Sequence, residues 1–163
     1  MAKSKEEKTN VMRVLEQKKI AYTAHTYPHE EGVAVDGVTV AKSMGFDPAI
    51  VFKTLVARGA SKQYYVFDVP VAENLDLKKA AKAVGEKSIE MIHQKELLPL
   101  TGYVHGGCSP VGMKKLFPTV FHSSAENLAA MIVSAGKIGY QVELAPHDLA
   151  ALVRAKFADI IVE

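Results

Sequence analysis

The residues best suited to chemistry lie in three places. The first is the run Tyr103-Val-His-Gly-Gly-Cys-Ser-Pro-Val-Gly-Met-Lys-Lys115. Gly106 and Gly107 can take left-handed angles or let a ligand approach the backbone closely. Pro110 pushes Ser109 toward extended geometry, and Gly112 follows two residues later. A loop of this kind presents a cluster of N–H groups, suited to a carbonyl oxygen, an oxyanion or a phosphate. Gly-Gly and Ser-Pro are also ordinary turn chemistry, so the loop by itself leaves both uses open. Cys108 has no base beside it in sequence and reads as small filler rather than a nucleophile.

The second place is Lys53, inside the apolar run Ile50-Val-Phe-Lys-Thr-Leu-Val-Ala57. A lysine there must snorkel out, pair with an acid, face a polar cavity, or guard a sheet edge. Strand alternation sets Phe52 and Thr54 on the opposite face. The third is Ser134, which ends a strand before Ala135-Gly136-Lys137 and is also a plausible turn serine. Other chemistries are missing. There is no phosphate-binding P-loop, no dinucleotide glycine fingerprint and no Gly-x-Ser-x-Gly elbow. His25 and His29 have the spacing of a helical metal pair, but Pro28 between them breaks the helix, so no metal site is expected.

The elements that must position these residues follow from pattern. Ser4 and Glu7 form a capping-box pattern ahead of a helix with Val11, Val14 and Leu15 on one face. Strands are expected over Tyr22–Tyr27, Ile50–Ala57, Gln63–Val69, Ser88–Ile92, Tyr103–His105, Thr119–His122, Ala130–Ser134 and Gly139–Leu144, with a short edge strand or tail over Ile160–Val162. The second and third make a hairpin about the Gly59–Lys62 turn. Helices are expected over Thr39–Met44, after the cap Asp76 and up to Gly85, from His93 to an end at Pro99, and from Pro146. Asp47-Pro48 opens one more turn. Strands in adjacent pairs with helices between them predict an α+β (mixed α/β) fold, with a central mixed β-sheet curved into a barrel-like core.

The chain of 163 residues suits one domain spanning 1–163, with a single core. It is 48% hydrophobic and 23% charged, as in soluble globular proteins, and carries a net charge of only +2. That balance does not announce nucleic acid. One cysteine excludes an intrachain disulfide. The N-terminal residues lack a secretory apolar core and no run reaches membrane-spanning length, so a cytoplasmic protein is expected.

Taken together, Val51-Phe-Lys-Thr-Leu55, the Gly106-to-Lys115 loop and Val133-Ser-x-Gly-Lys137 with Glu143-Leu-Ala145 resemble the YbaK-type Cys-tRNA(Pro)/Cys-tRNA(Cys) deacylases. These belong to the superfamily of the bacterial prolyl-tRNA synthetase editing domain. The resemblance implies editing in trans of mischarged tRNA, chiefly cysteine on tRNA(Pro), without a cofactor. It implies Lys53, Gly106, Gly107 and Ser109 as catalytic residues, and Tyr27, Thr54, Pro110, Gly112, Ser134 and Gly136 as substrate-binding residues. The implied partners are the acceptor end of tRNA(Pro) and prolyl-tRNA synthetase, with no membrane. Two positions depart from the family: Ala135 replaces a frequent glycine, and Gln141 stands where an acid is expected. A non-catalytic module that binds aminoacyl-tRNA or a nucleotide, and a deacylase for another small amino acid such as alanine, remain open alternatives.

Overall fold

The structure, a computed structural model, describes residues 8–163. Ser4 and Glu7, the expected capping box, lie outside the described residues. The first helix, α1 (Asn10–Gln17), is capped instead by Thr9, whose side chain accepts from the Met12 N–H at 3.3 Å. Its buried face, Val11, Met12 and Leu15, enters the main core.

Two sheets follow. In the three-stranded one, β7 (Tyr140–Leu144) lies between β1 (Thr23–Thr26) and β6 (Met131–Ser134), and both pairs are antiparallel. The five-stranded sheet begins with β2 (Phe52–Gly59) and β3 (Tyr64–Pro70), joined as the expected hairpin. β4 (Ile89–Met91) extends it beyond β2. β5 (Thr119–His122) and β8 (Ala155–Ala158) extend it beyond β3, both in parallel pairing. The mixed α+β character is therefore present. The expected single barrel-like sheet is instead two sheets, linked by one parallel bridge, Val51 to Ile132.

The helices form where caps and apolar faces predict them. α2 (Gly37–Ser43) starts at Asp36, and α3 (Leu77–Val84) starts at Asp76, which accepts from the N–H groups of Lys78 and Lys79. Gly85 ends α3 at φ +75°, a left-handed angle that favours glycine. α5 (Pro146–Val153) packs Leu149, Ala150 and Val153 into the main core.

Three expectations fail locally. α4 (Gln94–Thr101) runs through Pro99 rather than stopping there. Its final turn is held from outside the helix ladder: the Thr101 hydroxyl donates to the Leu97 carbonyl at 2.7 Å, and the Lys114 N–H donates to the Thr101 carbonyl at 3.1 Å. Tyr103–His105 is loop, not strand; Gly102 (φ +89°) turns the chain away, and the Tyr103 hydroxyl is tied to the Val111 carbonyl. The last strand lies at Ala155–Ala158, before the expected Ile160–Val162, where only Ile161 makes an isolated bridge, to Leu75.

Candidate functional site

The seam between the two sheets opens into a cavity of about 340 Å³. β2 supplies Phe52, Lys53, Thr54 and Leu55 to its wall, preceded by Val51. β6 and β7 supply Ser134 and Gln141, which are direct register partners. Tyr27 enters just past β1, and the start of α2 contributes Asp36, Gly37 and Val40. The glycine loop closes the remaining side with His105, Gly106 and Cys108.

Of the sequence-derived candidates, Tyr27, Lys53, Thr54, Gly106 and Ser134 thus meet on one cavity. Gly107, Ser109, Pro110, Gly112 and Gly136 are not part of its lining. They build the wall from behind. The Ser109 oxygen accepts from the Val111 N–H at 3.2 Å, and the Gly136 N–H donates to the Ser134 oxygen at 3.1 Å. Ser134 is therefore both a turn serine and a cavity residue.

Gly106 sits at φ +90°, and a Cβ there would lie 2.8 Å from that of Ala34, so both the angle and the space require glycine. Gly107 presses on the following turn; its Cβ would meet the Ile138 nitrogen at 3.2 Å. The Gly107 N–H donates to the Val104 carbonyl at 3.0 Å and is committed to the loop itself. The N–H groups of Gly106 and Cys108, on either side of it, have no acceptor among the described residues. Both residues line the cavity, so their amides are candidates to meet a ligand.

The electrostatics are set by burial. Lys53 is half-buried, which lowers its pKa; the carboxylates of Asp36 and Glu73 oppose that and favour the ammonium. Asp68, opposite Thr54 in the hairpin register, is wholly buried. Burial pushes its carboxyl up to about 7, against the Thr54 hydroxyl, which donates to one oxygen at 2.5 Å. Its other oxygen has no partner among the described residues. Cys108 is 7% exposed, and burial drives its thiol up to about 12, with Asp68 adding to the rise. The thiol is protonated at neutral pH and is not a nucleophile.

Sequence reasoning missed Asp68, although it interrupts the apolar run Tyr64-Tyr-Val-Phe-Asp-Val69 as Lys53 interrupts its own. Gln141 had been marked only as a departure. It is nine-tenths buried at the cavity wall, and its Oε1 lacks a partner among the described residues. The two histidines are engaged separately: His25 Nε2 with Glu143 at 2.7 Å, and His29 Nδ1 with the Tyr27 carbonyl at 2.9 Å. Among the described residues, no group of three or more His, Cys, Asp or Glu could hold a metal ion, and no helix is long and apolar enough to cross a membrane.

A family model, the aminoacyl-tRNA editing domain, matches residues 32–152, which contain most of this cavity. The chain belongs to the aminoacyl-tRNA editing domain family. A 46% identical relative, over 161 residues and 98% of both chains, is an Enterococcus faecalis protein named as a candidate Cys-tRNA(Pro)/Cys-tRNA(Cys) deacylase, EbsC. Among solved structures, a candidate trans-editing enzyme for prolyl-tRNA synthetase superposes with a TM-score of 0.79 at 24% identity, covering 94% of this chain and 95% of that one. A hypothetical protein, APE2540, superposes at 0.82 with 18% identity, covering 93% and 99%. At these identities the two structures establish the editing-domain fold alone. Tyr27 lies ahead of the matched region, so this editing domain draws one cavity residue from outside the family model's span.

Proposed function

We propose that the chain is a trans-acting aminoacyl-tRNA deacylase that releases cysteine mischarged on tRNA(Pro). One observation carries the proposal. A half-buried lysine and two backbone amides without acceptors converge on one cavity, beside a thiol that burial keeps protonated. That is a site built to orient and stabilise rather than to attack. An aminoacyl ester is already activated, so orientation and charge stabilisation suffice. The 46% identical relative's name supports the cysteine substrate.

The amides of Gly106 and Cys108 receive the ester carbonyl oxygen as it gains charge. The sulfur of the substrate cysteine attacks its own carbonyl carbon. A carbon–sulfur bond forms, the bond to the ribose oxygen breaks, the thiol proton ends on that oxygen, and a thiolactone leaves. Lys53 holds a ribose hydroxyl or a phosphate of the terminal adenosine. It does not contact the substrate α-ammonium, because like charges repel. The unpartnered Oε1 of Gln141 accepts from that ammonium instead, while Tyr27 and Ser134 orient the aminoacyl group. Ser109 acts from behind by holding the loop. Prolyl-tRNA synthetase is the partner that would lend tRNA specificity, which suits a net charge of only +2. Activity in the cytoplasm follows from this substrate.

The test is a deacylation panel on tRNA(Pro) charged with cysteine, alanine, serine or proline, with products identified by mass. Preferential loss of cysteine with a thiolactone product is expected. Free cysteine as the first product would replace the thiol by water, and protection of the ester would leave a binding module. Addition of prolyl-tRNA synthetase at limiting enzyme should raise the rate.

A further inference from the structure

A second cleft, of about 440 Å³, opens beside the first on the far side of the glycine loop. Its walls are aromatic. The His29 and Tyr140 rings meet edge to face with centroids 6.0 Å apart, and Tyr103 stands across from them. Two glycines make those walls. Gly139 (φ +98°) leaves no room for a Cβ under the His29 ring, and a Cβ on Gly136 (φ +91°) would touch Tyr103 Cε1 at 3.0 Å. The Lys137 ammonium lies 5.4 Å over the Tyr140 ring, and Glu31 reaches the same cleft.

The two cavities share their supports. Tyr27 lines the first and His29 the second; Ser134 the first and Gly136 the second; Gln141 the first and Tyr140 the second. Three segments thus each divide between neighbouring chambers, an arrangement suited to consecutive units of one ligand. Aromatic rings with a cation at the rim suit an unstacked nucleobase and its phosphate, and a carboxylate there can accept from an exocyclic amino group such as that of cytosine.

We infer that this cleft holds the nucleobase of the nucleotide preceding the terminal adenosine, while the first cavity holds the aminoacyl-adenosine. The inference rests on the deacylase reading. Lys137 meets the phosphate between the two nucleotides, and Glu31 accepts from the base.

Two probes separate the chambers: cysteinyl-adenosine, and the same ester on the dinucleotide CpA. The wild-type protein should deacylate the dinucleotide ester about 5- to 100-fold more efficiently in kcat/KM, the range for one stacked base. Tyr140→Leu keeps apolar bulk and should lose that advantage, with cysteinyl-adenosine turnover changed less than twofold. Tyr140→Trp should keep it. Unacylated CpA should likewise bind the wild type more tightly than adenosine does, and Tyr140→Leu should bind the two equally. An unchanged dinucleotide advantage in Tyr140→Leu, or none in the wild type, overturns the inference. If no ester is cleaved but the binding advantage persists and depends on Tyr140, the deacylase reading fails while the nucleotide cleft stands.

Discussion

Thr54 and Asp68 face each other across the β2–β3 hairpin, and the Thr54 hydroxyl donates to the carboxyl at 2.5 Å. Thr54 lines the cavity and Asp68 stands behind it, wholly buried. Among the described residues the carboxyl therefore has one neutral donor and no cation at hydrogen-bond distance. Its second oxygen is unpartnered among the described residues, so its protonated form is favoured.

That arrangement predicts a pH-dependent stability. The folded protein holds the Asp68 proton up to about pH 7, whereas the ordinary value is 3.8. The contribution is complete below the unfolded value and is lost as pH rises through the folded one. The loss amounts to at most about 4 kcal/mol. Asp68→Asn should match the wild type near pH 4 in urea denaturation and exceed it at pH 8. Parallel curves for the two proteins from pH 4 to 8 would exclude a raised carboxyl.

Lys53→Ala removes the proposed charge-assisted contact to the ribose or phosphate without creating a buried orphan, since Asp36 is exposed and Glu73 only partly buried. It should fold normally and lose about 10- to 100-fold in kcat/KM for Cys-tRNA(Pro), the scale of one hydrogen bond to a charged group. A folded Lys53→Ala protein deacylating at the full rate would remove Lys53 from the mechanism.

Cys108→Ala should retain the deacylation rate within about threefold, because the buried thiol supplies no thiolate and its backbone N–H survives the substitution. The wild-type protein should also resist iodoacetamide at pH 8. Rapid alkylation with parallel loss of activity would restore Cys108 as a candidate nucleophile.

Gly106→Ala should cost about 1–3 kcal/mol and more than tenfold in rate, since φ +90° and the approach to Ala34 both oppose a side chain. Gly45→Ala is the control: its φ is +80° but nothing lies within 4 Å of a Cβ, so only the angular strain of about 1 kcal/mol applies, with activity unchanged. Melting temperatures and deacylation rates of the two variants separate strain from site damage.

Much of the scaffold was legible because its signals are local. Asp47 and Asp76 cap what they were expected to introduce, whereas the helix expected from Thr39 starts two residues earlier, at Gly37, under a cap by Asp36 that sequence reasoning did not name. The β2–β3 hairpin follows from two apolar runs around a Gly-containing turn. β8 was not legible: Ala-Lys-Phe-Ala has little strand propensity, and its pairing with β5 is a tertiary outcome. Tyr103–His105 has strand-like residues but no strand to pair with. At the site, Lys53 and Gly106 stood out by residue type. That the Gly107 amide is committed to the loop while the Cys108 amide is not depends on one turn hydrogen bond, which residue identity does not encode.

The bridge between Val51 and Ile132 joins the two sheets beside the cavity. Lys53 and Thr54 ride on one sheet, Ser134 and Gln141 on the other, and this apolar pair, both almost fully buried, sits in the hinge of the jaw. Ile132 is not part of the cavity lining, so a change of its bulk acts on the two rows of site residues only through the seam. The seam thus fixes the relative placement of the two rows from outside the residues that carry polar groups into the cavity.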